Sequence, residues 1–461
     1  MEIGTFEQWQ KAAREYDRQT GADTWRSDER SAHYDHRVIQ YRYDELVKIR
    51  RAGNPVQLLY YLNEGLHGNM GGMGTPKLYG KTKLGTKNLI TDYLAELSLA
   101  LEDLAHANDK EVSSSEKLAY FKRASICFGR SALMFSGAGS LGAFHIGVAK
   151  ELSKQNLMPR VVSGASAGSL IASIIGTHPR NELLDVFDQN TIGGDFEAPD
   201  APQISSSTQH RVQRDDLIGM VEATIPDLTF LEAYEITGVN LNISVSPSEL
   251  HQRSRMLNAA TAPNAFIREA VTASCAIPGV FPAVTLMAKD GNKRRPYVAS
   301  RKWVDGSITD DLPAKRIARQ YGVNHFISSQ ANPLFLWGLN SDELNDDLIS
   351  RMTAIYHRGA REWLRAIYPT VMESVRDLHP MNTYTRFWFS MMTQEYTADI
   401  NIIPQRNILH PSKLLAHLTN EETERLVRAG EQATWPKVEM IRNCTMISRY
   451  IDTTLLRLEL T

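Results

Sequence analysis

Three short glycine-bearing stretches hold the residues whose types and spacing could do chemistry. Gly164-Ala165-Ser166-Ala167-Gly168 fits G-x-S-x-G, follows the strand-like Val161-Val162 and opens a helical run. A nucleophilic serine must stand on a tight strand-to-helix turn where neighbouring side chains are tiny, and Ala165 and Ala167 comply. The pattern predicts Ser166 as a nucleophile; the competing reading is a structural glycine turn. Upstream, Gly137-Ala138-Gly139-Ser140-Leu141-Gly142 also follows a strand and opens a helix. Alone it is a dinucleotide fingerprint, which requires an acid about 20 positions on, at the end of the next strand. The chain there reads Ser163-Gly164-Ala165-Ser166, and the first acid after Glu151 is Glu182. The same loop geometry can aim backbone N–H groups at an oxygen that turns negative when a serine attacks an ester carbonyl.

A serine hydroxyl needs a base to attack at neutral pH. Asp305, in Trp303-Val304-Asp305-Gly306-Ser307, closes a strand, and Gly306 permits a sharp exit that could bring the carboxylate beside Ser166. An ordinary Asp-Gly turn is the plain alternative. His325 is the histidine a Ser-His-Asp arrangement would use, because it follows Asp305 in the usual hydrolase order. It stands at the start of a strand, however, which is the wrong end of a parallel sheet for catalysis. His145, one turn into the helix after the glycine loop, reads as a packing residue.

The elements needed to position these groups are legible in outline. With 461 residues, the chain has room for two or three domains at about 150 residues each. Hydrophobic residues at 42% and charged residues at 23% describe an ordinary folded chain, not a disordered or coiled-coil one. Lys plus Arg is 51 against 53 for Asp plus Glu, a net charge of -2, so no basic field would gather nucleic acid. Cys127, Cys275 and Cys444 are far apart and without C-x-x-C spacing, so neither a disulfide framework nor a metal site is expected, and no cofactor is called for. The N-terminus lacks an apolar leader and no apolar run reaches the roughly 18 residues of a membrane span, so the expected compartment is the cytoplasm.

Residues 6–105 read as helical, broken at Gly21, at Gly53-Asn54-Pro55 and across Gly65 to Gly80, with an apolar stripe of Ile90, Leu94, Leu97, Leu101 and Leu104. Polar residues 108–115 suggest a linker. Short apolar runs then alternate with helical patterns, the signature of an α/β domain with a mostly parallel sheet between helical layers. Strands are expected at 132–135, 160–163, 239–245, 284–289 turning at Asp290-Gly291 into 297–304, 325–328 and 400–403; long helical stretches are expected near 345–378 and 436–457. The divisions expected are a helical region at 1–120, the α/β domain at 121–335, and a mostly helical region at 336–461 with one late strand completing or flanking the core.

The three motifs in this order resemble the patatin-like phospholipases, and more closely the patatin-like triacylglycerol lipases of the plant sugar-dependent and yeast lipid-droplet type. The resemblance extends to Leu66-His67-Gly68-Asn69, Gly85-Thr86-Lys87, Phe128-Gly129-Arg130, Phe144-His145-Ile146-Gly147-Val148, Ala273-Ser274-Cys275-Ala276-Ile277-Pro278 and Val323-Asn324-His325-Phe326-Ile327. It implies a patatin-like three-layer α/β/α hydrolase core with helical additions at both ends. It implies Ser166 as nucleophile, Asp305 as proton acceptor, and the N–H groups of Gly137, Ala138 and Gly139 as oxyanion hole, with Gly142, Gly164, Gly168 and Gly306 as motif glycines. The implied activity is hydrolysis of acylglycerol esters through a Ser-Asp dyad and an acyl enzyme, at a membrane or lipid-droplet surface contacted peripherally. The alternatives are a phospholipase A or lysophospholipase, or an inactive lipid-binding protein on the same fold. Two departures stand out: Leu141 replaces the usual Arg or Lys, which favours neutral glycerolipids over phosphate-bearing ones, and Ser307 replaces Gly or Ala. The sequence says nothing of oligomeric state.

Two further features carry open readings. Lys289, Lys293, Arg294, Arg295, Arg301 and Lys302 crowd one hairpin, either to meet anionic headgroups or simply as a solvated surface. Leu334-Phe335-Leu336-Trp337 and Phe387-Trp388-Phe389 with Met391-Met392 could rim a lipid site or fill a core.

Overall fold

A computed structural model describes residues 4–188, 214–249, 254–278, 280–307, 311–332, 367, 398–405 and 416–460. The two apolar rim motifs and the helical stretch expected at 345–378 lie outside them, residue 367 excepted. The described residues form two compact units: those up to Ser131 with Lys315–Phe326 and those from Trp435 on; and those of Ala132–Ala314 and Ile327–Thr434.

The first unit is helical. Gly53, at φ 64, ends the His36–Ala52 helix in the left-handed region that glycine enters without strain. Asn54 then caps the Pro55–Asn63 helix by accepting from the Gln57 N–H, with proline in the first turn, where its missing N–H costs nothing. The Asn88–His106 helix buries the expected stripe of Ile90, Leu94, Leu97, Leu101 and Leu104 in one core with Ile447, Ile451 and Leu455 of the Val438–Leu460 helix. Polar residues 108–115 end in a helix cap: Ser113 and Glu116 bond each other's backbone N–H to start the Ser114–Phe128 helix.

The second unit is built on a sheet. Its strands are β1 (Arg130–Phe135), β2 (Val161–Gly164), β3 (Asn240–Pro247), β4 (Arg255–Leu257), β7 (Trp303–Asp305), β8 (Val323–Ser329) and β9 (Ile400–Ile402), in the order β4-β3-β2-β1-β8-β9 with β7 also on β3; β5 (Met287–Asp290) and β6 (Lys293–Pro296) form a separate hairpin. The β1–β2, β2–β3 and β8–β9 pairs are parallel, while β4 and β7 run antiparallel to β3. Nearly every residue of β1, β2 and β3 is buried, as in a sheet covered on both faces; the core of β1 is an apolar run, while β3 alternates apolar residues with buried Asn242, Ser244 and Ser246.

One expected strand differs. The return strand of the Asp290-Gly291 hairpin occupies Lys293–Pro296, Tyr297 adds one more bond to the Leu286 carbonyl at 2.8 Å, and the chain then leaves the ladder before β7 begins. A turn closed by the Arg301 N–H on the Val298 carbonyl at 3.1 Å interrupts the continuous strand expected over 297–304 and leaves only its last residues.

A contact that periodicity could not reveal supports the glycine loop from behind. The Ala143–Lys154 helix, which follows the loop, packs on the Asn420–Thr434 helix. A Cβ on Gly147 would lie 1.8 Å from the Val427 carbonyl oxygen, and one on Gly430 would lie 2.1 Å from that of Phe144. The two backbones meet because both positions are glycine.

Candidate active site

Strand register brings the motifs together. Phe135 pairs with Gly164 across β1 and β2, so the glycine loop and the serine turn leave the sheet side by side. Val245 of β3 pairs with Arg255 of β4 and also with Asp305 of β7, so those two strands must flank β3 on opposite sides. Gly164 pairs with Ile243, so β7 takes up the side of β3 where β2 ends. Asp305 therefore sits two residues, roughly 7 Å, further along that side than Gly164.

The serine turn is strained and closely packed. Ser166 has φ 52 and ψ -130, a left-handed backbone that an L-residue adopts only when its surroundings hold it there. Its N–H donates to Ser274 Oγ at 3.0 Å, whose hydroxyl donates to the Ser244 carbonyl at 2.8 Å. Below the turn, a Cβ on Gly164 would lie 2.1 Å from the Gly168 carbonyl oxygen, and one on Gly168 would lie 2.4 Å from that of Phe135. The G-x-S-x-G glycines are needed because backbone occupies the space of a side chain. Gly142 is held similarly: its Cβ would lie 2.8 Å from that of Ala167.

Ser166 and Asp305 are both buried, and the Ser166 hydroxyl lies close enough to the Asp305 carboxylate to pull its pKa down as a donor. Ser307 donates to the same carboxylate through its N–H, at 2.8 Å to Oδ1, and through its hydroxyl. Burial raises the Asp305 carboxyl to about 6, against the opposing pull of those three donors. A carboxylate in that range is a far better proton acceptor near neutrality than a solvated aspartate at about 4. Gly306 lets the chain leave at once, since a Cβ there would lie 2.1 Å from the Ser244 carbonyl oxygen.

The glycine loop opens a short helical turn, Gly139–Gly142, that runs into the Ala143–Lys154 helix. Gly139 takes φ 53 to enter it. The N–H groups that begin such a turn have no carbonyl behind them to meet. Gly137 lies against Ser166, with a Cβ position 3.4 Å from Ser166 Cβ and 3.1 Å from Ser307 Cβ. Its N–H, however, donates to Asp311 Oδ1 at 2.7 Å. Leu141 is buried.

No hydrogen bond of Ser166 or Asp305 among the described residues involves a histidine. His325 Nδ1 lies 3.2 Å from Ser131 Oγ, near the start of β1. His145 is fully buried, with Nδ1 2.7 Å from Ser329 Oγ and Nε2 3.0 Å from the Ser136 carbonyl oxygen, and burial lowers it to about 4, so it stays neutral. Cys275 is buried near Ser169 Oγ, and burial pushes its thiol well up, away from the reactive thiolate. Among the described residues no three His, Cys, Asp or Glu side chains gather at a spacing that could hold a metal ion.

Sequence reasoning missed Ser274, Asp311 and the supporting role of His145. No spacing rule points to them, because each meets the site through tertiary packing. Three of the six basic residues of the hairpin pair with acids: Lys289 with Glu232 at 2.5 Å, Arg295 with Asp290 at 2.9 Å, and Arg294 with Glu269 at 2.7 Å and with Asp227.

The chain is similar to known proteins over almost its whole length. A family model described as patatin-like phospholipase matches residues 133–317, and a domain of unknown function, DUF3336, matches residues 2–126. Triacylglycerol lipase 4 of Saccharomyces cerevisiae is 35% identical over 95% of this chain and 50% of its own length. Triacylglycerol lipase SDP1L of Arabidopsis thaliana is 31% identical over 95% of this chain and 55% of its own, so the chain spans about half of each. Triacylglycerol lipase ptl2 of Schizosaccharomyces pombe is 30% identical over 98% of this chain and 74% of its own. With a strained serine turn beside a glycine loop, and likeness to a relative of which it covers three-quarters, the chain belongs to the patatin-like family, in the group that carries DUF3336 ahead of the patatin domain.

Proposed function

We propose that the protein is a serine acyl hydrolase that cleaves carboxylic esters of acylglycerols through a Ser166–Asp305 dyad. The observation that carries this reading is the Ser166 hydroxyl, on a left-handed turn, beside a buried carboxylate raised to about 6. Ser166 Oγ attacks the ester carbonyl while its proton passes to Asp305. The carbonyl oxygen, now negative, is met by N–H groups of Ala138 and Gly139. The carbon–oxygen bond of the ester breaks, Asp305 returns the proton to the departing alcohol, and an acyl group remains on Ser166. Water then attacks that acyl ester with Asp305 taking its proton, and the fatty acid leaves as Ser166 is re-protonated. Asp305 remains a modest base, so much of the acceleration falls to the oxyanion donors, each worth about 3–4 kcal/mol in comparable sites.

The names of the three relatives, all triacylglycerol lipases, support acylglycerols as the substrate class. Such esters are insoluble, so the enzyme would meet them at a membrane or lipid-droplet surface. Among the described residues no helix is long and apolar enough to cross a membrane, which fits peripheral contact. Buried Leu141 in the glycine loop places no cation there for a phosphate. The test presents triacylglycerol, diacylglycerol and phosphatidylcholine emulsions side by side, with labelling by a fluorophosphonate probe. Faster release from the acylglycerols and labelling that Ser166→Ala abolishes are expected. Faster release from phosphatidylcholine would move the assignment to a phospholipase, and an unlabelled wild type would leave a lipid-binding scaffold.

A further inference from the structure

Gly137 is a motif glycine whose N–H is turned away from the role an oxyanion donor would give it. That N–H and the Ser136 carbonyl belong to one peptide unit, and in a trans peptide they point in opposite directions. The N–H end donates to Asp311 Oδ1 at 2.7 Å, and the carbonyl end faces His145 Nε2 at 3.0 Å. Both side chains are buried, Asp311 at 1% exposure and His145 at 0%. A carbonyl can only accept, so His145 carries its proton on Nε2, and Nδ1 accepts from the Ser329 hydroxyl 2.7 Å away. Ser136 is held further by its N–H on the Ser329 carbonyl at 3.1 Å and by the Ala331 N–H on its Oγ at 3.2 Å.

We infer that Asp311 and His145 are positioning residues that grip the Ser136–Gly137 peptide from its two ends and so fix the glycine loop for catalysis. The inference rests on the Ser-Asp reading. It removes Gly137 from the oxyanion hole and leaves Ala138 and Gly139, just beyond the gripped peptide, as the donors. A peptide free to rotate would swing those N–H groups off the position where charge develops. Two buried partners of opposite hydrogen-bonding sense, one acceptor and one donor, allow only one orientation of the peptide between them. The loop is thereby organised before substrate arrives, which is where oxyanion stabilisation gains its effect. The acceptor comes from the segment just after Asp305, so base and glycine loop are set by one stretch of chain.

The experiment uses the full chain and two kinds of readout. Hydrogen–deuterium exchange mass spectrometry follows peptides covering residues 133–142 in wild type, Asp311→Ala, Asp311→Asn and His145→Phe. His145→Phe keeps ring packing against Phe135 and Phe144 and loses the Nε2–H donor to the Ser136 carbonyl together with the Nδ1 acceptor of the Ser329 hydroxyl. In Asp311→Ala and His145→Phe, exchange over the loop should rise about 10-fold with the rest of the sheet unchanged. Asp311→Asn, which keeps an acceptor oxygen, should stay near wild type. With a soluble p-nitrophenyl ester, the first two variants should lose on the order of 10- to 100-fold in kcat with KM within about twofold. The double variant should lose no more than the worse single one, because both act on one peptide. Should Asp311→Ala fail to fold, His145→Phe carries the same reading alone. A reactive wild type whose loop exchanges alike in all variants overturns the clamp and leaves the esterase standing. A wild type that no fluorophosphonate labels, with exchange responding as described, sinks the esterase and leaves the clamp.

Discussion

Gly164 and Asp305 lie on the same side of β3, opposite Ile243 and Val245, so the strand that delivers the serine and the strand that delivers the carboxylate share one lane of the sheet. β2 stops where its chain must turn up to form the serine elbow, and antiparallel β7 fills the vacated edge of β3. This arrangement brings Ser166 and Asp305 to one place without any long side chain having to reach across the sheet.

The left-handed Ser166 makes activity and stability pull in opposite directions. Ser166→Gly removes the strain of φ 52 and should stabilise the fold by about 1 kcal/mol relative to Ser166→Ala, which keeps a Cβ there. Both variants should be inactive and unlabelled by fluorophosphonate. Urea unfolding of the two checks the first point, and Ser166→Ala proving the more stable would contradict it.

Asp305 predicts a pH dependence in two quantities. Its folded-state value of about 6 lies above that of an unfolded aspartate, so the native state binds the extra proton between about pH 4 and 6. Stability is therefore greatest below about pH 4 and falls as pH rises toward 6, by an amount on the order of 3 kcal/mol for this group. Activity runs the other way, because the base must be unprotonated, so kcat/KM should rise to a plateau with its midpoint near 6. Asp305→Asn should lose at least ~100-fold in turnover while becoming more stable at pH 8, with a flatter stability profile between pH 4 and 7. An unchanged pH–rate midpoint in a still-active Asp305→Asn would assign the base elsewhere.

Histidine should be dispensable to the dyad. His325→Ala loses the bond to Ser131 near the start of β1 and should keep activity within about threefold of wild type on a soluble ester. A 100-fold loss, with circular dichroism unchanged, would restore a Ser-His-Asp mechanism.

Two glycine-to-alanine changes separate packing from positioning. At Gly168 the new Cβ meets the Phe135 carbonyl oxygen at 2.4 Å and the Ser136 carbonyl oxygen at 2.6 Å, backbone that cannot yield, so Gly168→Ala should cost more than about 2 kcal/mol and most of the activity. At Gly137 the closest atoms are side-chain ones at 3.1 Å or more, so Gly137→Ala should fold with a thermal midpoint within a few degrees of wild type and show a reduced kcat. Thermal unfolding read beside turnover distinguishes the two, and equal destabilisation would refute the packing account.

The serine turn, the glycine loop and the acid that ends β7 were legible from the sequence because each depends on local rules. Tight turns require glycine and alanine at fixed offsets, and the buried core of β1 reads as an apolar run. The helix breaks at Gly21 and Gly53 follow from the same local chemistry, through left-handed caps at φ 74 and 64. What the tertiary structure alone decided is which of these local features meet. That β7 follows β2 along one side of β3, that Gly147 and Gly430 bring two helices into backbone contact, and that Asp311 and His145 take opposite ends of one peptide all depend on residues distant in the chain. Hydrogen bonds and close packing act through space over a few ångströms, whereas a sequence pattern records only neighbours a few positions apart.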